Sequence, residues 1–313
     1  MRKALVIGIN NYPTSPLKGC INDASAFATT LEKNGDGSPN FSVILKMDVP
    51  TKSSLKTTII ELFEGDSDIA LLYFSGHGFL NEFGGYIVTP DYQPNDEGVS
   101  MDEILVLANK SKAKDKIIIL DCCHSGSFGS PAVAGGVCSQ ISEGVVVLTA
   151  SKTDESSVEV NGHGIFTNLL IDALQGGAAD VRGHITPGSV YAYIDQALGP
   201  WDQRPVFKTN VTRFTSLRTI TPQVPTEVLR KITEYFLTPD QEYALDPTYE
   251  FDNKDIAVPE KVVIMKNLQK FVGIGLVVPV GEEHMFYAAQ NSRSCKLTAL
   301  GYHYWRLVKD GKI

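Results

Sequence analysis

Three features of the chain predict an α/β domain of three layers, with helices on both faces of a mainly parallel sheet. Apolar residues come in continuous runs at 4–9 (ALVIGI), 69–74 (IALLYF), 117–120 (IIIL) and 145–150 (VVVLTA), with a weaker run at 42–45. Runs that are continuous rather than alternating suit strands buried on both faces. The second feature is what lies between and after them: helical patterning at 22–33, 53–64, 101–110, 166–175 and 187–198. Ser100 or Gly98 opens the third of these and Gly176-Gly177 closes the fourth. Alternation of the two patterns is the signature of helices packed on a sheet. The third feature is a change of texture after residue 215, where 219–227 (TITPQVPTE) carries two prolines and reads as a linker. The expected domains are therefore 1–218 and 219–313.

Composition excludes several classes. The chain is 43% hydrophobic and 20% charged, ordinary for a water-soluble domain with a sizeable core. Its net charge of −8 argues against nucleic acid or an anionic membrane as the main partner of the whole chain. Five cysteines, an odd number and mostly scattered, do not form a secreted disulfide framework. The apolar run after Met1-Arg2-Lys3 is too short for a signal-peptide core, and no window approaches the roughly 18 apolar residues of a membrane span. A reducing cytoplasm is the expected location, with no membrane partner.

Each long apolar run ends in a polar cluster on its C-terminal side. These are Asn10-Asn11-Tyr12, Ser75-Gly76-His77-Gly78, Asp121-Cys122-Cys123-His124 and Ser151-Lys152-Thr153. In open parallel sheets ligands bind beyond the carboxyl ends of the strands, so the four clusters are expected to share a cleft. A thiol nucleophile needs a base and an oxyanion hole, and His77 and Cys123 stand at equivalent strand ends. Strand alternation puts Asp121 and Cys123 on one face, and Cys122 and His124 on the other. Zinc is disfavoured, because adjacent cysteines diverge and no second pair completes four ligands. A disulfide between neighbours is strained.

The segments 7–24 (IGINNYPTSPLKGCINDA), 73–78 (YFSGHG) and 119–126 (ILDCCHSG) together resemble the caspase-like cysteine peptidases, and among them the prokaryotic metacaspases. Residues 164–174 and 203–207 also look like later elements of that family, so the resemblance covers about 3–215. It implies a caspase-haemoglobinase-like αβα fold, with Cys123 as nucleophile and His77 as its partner. It also implies an oxyanion hole from the amides of Gly78 and Cys123. Cleavage after Arg or Lys would follow from an acidic pocket of Asp23 and Asp121, lined by Cys20 and Ser75. Two carboxylates in a narrow pocket repel each other and are relieved by a guanidinium, which fits on physical grounds too. Asp23 also stands where it could cap a helix starting near Ala24. The resemblance carries an association with regulated cell death, stress or defence.

No cofactor is expected. Many metacaspases use calcium, for which the comparable acids here are Asp91, Asp96, Glu97, Asp102 and Glu103. Met101-Asp102 stands where an adjacent aspartate pair is expected, so these read as solvated acids. Behind the linker, a helix at 227–237, an acidic stretch (Asp240, Glu242, Asp246, Glu250, Asp252, Asp255), a helix at 260–272, strands at 275–280 and 285–289 and a helix at 296–307 compose a winged-helix-like α+β module. Its partner is expected to be a regulatory protein docking on 221–313 rather than DNA, because helix 260–272 carries only three lysines. An adaptor whose caspase-like domain stays dormant until such a partner binds, or a DNA-binding regulator, are the alternatives to an enzyme acting on proteins with exposed Arg or Lys sites. From Ser125 to Ser151 there is no Lys or Arg. An enzyme cutting after basic residues therefore works as a single chain, and mass spectrometry of active protein is expected to show no self-cleavage within 125–151.

Overall fold

The computed structural model describes residues 1–122, 141–150, 159–160, 163–198 and 204–313. The chain divides into two units, residues 1–180 with 184–220, and residues 221–313 with 181–183.

The first unit runs β1 (Arg2–Gly8), α1 (Cys20–Glu32), β2 (Ser42–Met47), α2 (Lys52–Phe63), β3 (Ile69–Ser75), β4 (Gly78–Asn81), β5 (Gly84–Ile87), β6 (Val99–Ser100) and α3 (Met101–Lys110). It continues with β7 (Asp115–Asp121), β8 (Val145–Thr149), β9 (Glu159–Val160), β10 (His163–Gly164), α4 (Ile165–Asp172), β11 (His184–Ile185), α5 (Pro187–Leu198), β12 (Val206–Asn210) and β13 (Arg218–Thr219). The central sheet has the order β12-β8-β7-β3-β1-β2. Its pairs are parallel except β12–β8, so the sheet is mainly parallel.

The apolar runs become strands because both faces are covered. Leu5, Ile7, Leu72, Phe74, Ile118, Leu120 and Cys122 pack with Leu55 and Ile59 of α2 and Ile104 of α3. The alternate residues Ala4, Val6, Leu71, Tyr73, Ile117 and Ile119 pack with Phe27 of α1, Leu170 of α4 and Ile194 of α5. This two-sided burial is the physical cause of the continuous patterning. Helix starts follow side-chain caps: Thr51 accepts from the Ser54 amide and Ser100 from the Asp102 amide. Gly176, at φ +141°, turns the chain where the α4 pattern ends.

Register sets the site. Gly8, Ser75 and Asp121 stand side by side at the carboxyl ends of β1, β3 and β7. α1 crosses that row closely: a Cβ on Gly8 would lie 2.4 Å from the Cys20 carbonyl oxygen and 2.8 Å from Ala24 Cβ. A small antiparallel sheet, β4-β5-β6, which sequence patterning does not reveal, follows directly from the end of β3.

The second unit runs α6 (Thr226–Arg230), α7 (Ile232–Tyr235), β14 (Tyr243–Ala244), α8 (Pro259–Gly273), β15 (Val277–Val280), α9 (Met285–Gln290), β16 (Ser294–Leu297) and α10 (Ala299–Lys309). Its sheet is antiparallel in the order β14-β16-β15. The expected helix at 227–237 is divided at Lys231. The strand expected at 285–289 is instead helix α9. Met285, Ala288 and Ala289 are its buried residues, a three-to-four spacing that buries one helical face. The second strand of the hairpin is β16, so the last helix starts later, at Ala299, capped by Thr298. The unit's core holds Phe236, Leu268, Phe271, Leu276 and Cys295. Burial pushes the Cys295 thiol up to about 12, so it is an inert packing residue. Among the described residues no helix is long and apolar enough to cross a membrane.

Gly8→Ala is expected to lower stability by about 1–3 kcal/mol, the range for overpacking a dense interior, read as a fall in the urea midpoint at unchanged slope.

Candidate functional site

The site is built on the row Gly8, Ser75 and Asp121. Asp121 ends the alternation that buries Ile117 and Ile119 against α1 and α4, and it is itself buried. The neighbouring Cys122 belongs to the opposite core, as strand alternation requires. Thr167 of α4 donates to Asp121 Oδ2 at 2.7 Å. Because that uses the single hydroxyl proton of Thr167, the Tyr73 hydroxyl 2.6 Å away is the donor to Thr167. A relay of two hydroxyls thus ends on the Asp121 carboxylate. Burial, with Asp121 and Asp23 nearby, pushes the Tyr73 phenol well above its ordinary range and keeps it a donor.

Asp23 is also buried, at 2% exposure. α1 begins at Cys20 with Gly19 at its N-cap, so Asp23 lies inside the first turn and does not cap the helix. Its Oδ1 meets His163 Nδ1 at 2.7 Å, and its Oδ2 accepts from the Gly164 amide at 3.2 Å. Burial raises its carboxyl to about 6; the hydrogen bond to His163 pulls it down, and the charge of Asp121 pushes it up again. Gly164 shows where the two carboxylates converge. A Cβ there would stand 3.1 Å from Asp121 Oδ2 and 3.3 Å from Asp23 Oδ2. Glycine at 164 thus lets both carboxylates close in on the backbone there. Ser75 is buried beside Asp121, and Cys20 is half-buried at the start of α1.

His77 follows β3 and is half-buried. Its Nε2 lies 2.7 Å from the Ser15 carbonyl oxygen, which can only accept. The ring proton is therefore on Nε2, and the neutral imidazole keeps its lone pair on Nδ1. Gly78 pairs with Ile87. The adjacent pair is the bonded one, since Val88 N donates to the His77 carbonyl at 2.9 Å. In an antiparallel ladder bonded and non-bonded pairs alternate, so the Gly78 amide points away from β5. Cys123, His124 and residues 151–153 lie outside the described residues.

Three of the acids comparable to the calcium cluster are engaged elsewhere. Asp91 accepts from the Lys52 amide, Asp96 pairs with Lys52 Nζ at 2.5 Å, and Glu103 pairs with Lys56 at 3.0 Å. Among the described residues no three or more His, Cys, Asp or Glu side chains are placed to hold a metal ion.

Sequence reading missed Ser15, Tyr73, His163 and Thr167. A carbonyl oxygen leaves no sequence trace, and the other three act through contacts 94, 140 and 46 residues apart. One signal was present: His163-Gly164 repeats the His-Gly pair of His77-Gly78.

Comparison with known proteins adds three findings. The model of the caspase domain, peptidase family C14, matches residues 1–214. The crystal structure of caspase-1 from Spodoptera frugiperda is similar in fold, with TM-score 0.50 and 15% sequence identity over 70% of this chain and 90% of that one. A search of curated proteins found no match.

Because the folded Asp23 keeps its proton to about pH 6 while the unfolded chain releases it near the ordinary carboxylate value, Asp23 lowers stability as pH rises through that interval. Asp23→Asn is expected to flatten this fall, measured as urea midpoints of both proteins from about pH 4 to pH 7. Equal slopes in the two would contradict the assignment.

Proposed function

The chain belongs to the caspase-domain family of cysteine peptidases, and on that footing we propose that it is an endopeptidase cutting proteins after Arg, less often Lys, as the metacaspases do. The observation that carries this specificity is the pair of buried carboxylates, Asp23 and Asp121, converging beside Gly164. A guanidinium brings five donors in a planar fork and neutralises two charges that otherwise repel. An aspartate side chain brought to the same pair would add a third carboxylate.

In the proposed reaction the Cys123 thiolate adds to the scissile carbonyl carbon. The Gly78 amide, turned away from its ladder, supplies one donor to the oxyanion and the Cys123 amide the other. His77 takes the thiol proton on Nδ1 and passes it to the leaving amine as the C–N bond breaks. Water, deprotonated at the same nitrogen, then hydrolyses the thioester and restores the thiol. The Ser15 carbonyl stabilises the imidazolium through its bond to Nε2–H. No metal enters this scheme, and a reducing cytoplasm is where a reactive thiol of this kind would keep its activity.

For residues 221–313 we propose a docking role for a regulatory protein rather than for DNA. Of the three lysines on α8, Lys261 is committed to Asp246 at 2.7 Å, which leaves two for phosphate contacts. A mobility-shift titration of the full chain on duplex DNA is expected to show only weak, salt-sensitive binding.

An Arg-ended fluorogenic peptide is expected to be cleaved, with loss of all turnover in Cys123→Ala. Cys122→Ala removes a core side chain and keeps turnover. Asp121→Asn is expected to lower kcat/KM for the Arg peptide about 10- to 100-fold, the scale of a hydrogen bond to a charged group. Preferential cleavage of Asp-ended peptides would overturn the pocket while sparing the dyad. Activity that survives in Cys123→Ala would overturn the nucleophile.

A further inference from the structure

The backbone at His77 departs from an ordinary ladder. A bonded antiparallel pair exchanges two hydrogen bonds, yet His77 and Val88 make one, Val88 N to the His77 carbonyl at 2.9 Å. A phenol stands in the place of the other. The His77 amide donates to the Tyr12 hydroxyl at 3.0 Å, and that hydroxyl donates to the Val88 carbonyl at 3.2 Å. Tyr12 is buried, at 6% exposure, 65 residues from His77 in sequence. Its ring meets the imidazole edge to face, with centroids 4.5 Å apart.

The surroundings are shaped to admit this hydroxyl. A Cβ on Gly76 would lie 2.6 Å from Tyr12 Oη and 2.7 Å from Phe74 Cζ. The first glycine of Ser-Gly-His-Gly is therefore the residue that lets the phenol reach the strand. The loop carrying Tyr12 is anchored in turn: Asp48 Oδ1 accepts from the amides of Asn10 and Asn11 at 2.8 and 3.0 Å. The same loop supplies the Ser15 carbonyl that holds His77 Nε2 at 2.7 Å. One loop thus grips the histidine twice, at its ring and at its backbone.

We infer that Tyr12 is a positioning residue for His77, its hydroxyl bridging His77 to Val88 so that the imidazole is aimed with Nδ1 toward the cleft. The pairs that follow, from Gly78 with Ile87 onward, keep the regular antiparallel register. The phenol acts as acceptor and donor at once, so it works only as the neutral group. Burial, which outweighs every other influence on it, holds it in that form far above the ordinary range.

The inference rests on reading His77 as the catalytic base, and its test has one readout that needs no substrate. Tyr12→Phe removes the oxygen and keeps the ring. In the full-length chain with 15N-labelled histidine, the wild-type His77 imidazole is expected to show one fixed tautomer, protonated on Nε2. Tyr12→Phe is expected to show averaging between tautomers, and kcat on the Arg peptide is expected to fall about 10- to 100-fold, the scale of misplacing a reacting group by about 1 Å. KM is expected to stay within about twofold, because no substrate-binding group is touched. Gly76→Ala, which pushes the hydroxyl away from the other side, is expected to reproduce both changes. Wild-type kcat in both variants would overturn the inference. So would a loss of kcat with the His77 signals unchanged, or one that merely follows the unfolded fraction by near-ultraviolet circular dichroism. Tautomer averaging in a protein whose wild type cuts no Arg peptide would uphold the positioning role and reject the peptidase reading.

Discussion

Two carboxylates held out of water beside each other are the constraint on which the site depends. Burying one ionised group is costly and burying two costs more, unless hydrogen bonds and a cation compensate. Asp121 is compensated by the hydroxyl relay from Tyr73 through Thr167. Asp23 is compensated by His163 and by the Gly164 amide, and incompletely so, since its carboxyl stays raised to about 6. A site that carries such unrelieved charge in the free state has a reserve of binding energy for a cationic ligand. That is the physical content of proposing arginine as the residue it selects.

The three-layer fold turns this constraint into a fixed geometry. Parallel register brings Gly8, Ser75 and Asp121 to one level. The missing side chain of Gly8 lets the start of α1 approach that level closely enough to hang Asp23 over it. The missing side chain of Gly164 lets both carboxylates approach the same point of the backbone. On the other side of the row the chain leaves β3 through His77 and enters a second, antiparallel sheet at Gly78. The change from parallel to antiparallel pairing leaves the Gly78 amide pointing away from β5. The paired carboxylates and His77 thus lie on opposite sides of one strand end.

Much of this was legible in the residues, for reasons that can be stated. Strands buried on both faces must be apolar throughout, so β1, β3, β7 and β8 stand out, and period-two alternation separates Asp121 from Cys122 onto opposite faces, as their partners show. β12 and the β4-β5-β6 sheet did not stand out, being short and partly exposed, with no patterned face to reveal them. A short apolar run such as MFYAA fits either period, so 285–289 reads as a strand in sequence and only its packing makes it helix α9. In the site, the carboxylates and His77 were visible through their motifs. What orients them was not: Ser15 acts through its carbonyl, and Tyr73, His163 and Thr167 act over long sequence separations.

The central claim is that this chain cuts proteins at a residue chosen by Asp23 and Asp121. It is tested most directly by sequencing the new N-termini that appear when a mixed cell lysate is incubated with the wild-type protein and with Cys123→Ala. The account predicts termini that follow Arg, and fewer that follow Lys, in the wild-type sample alone. Termini that follow acidic or apolar residues, or the same termini in both samples, would contradict it.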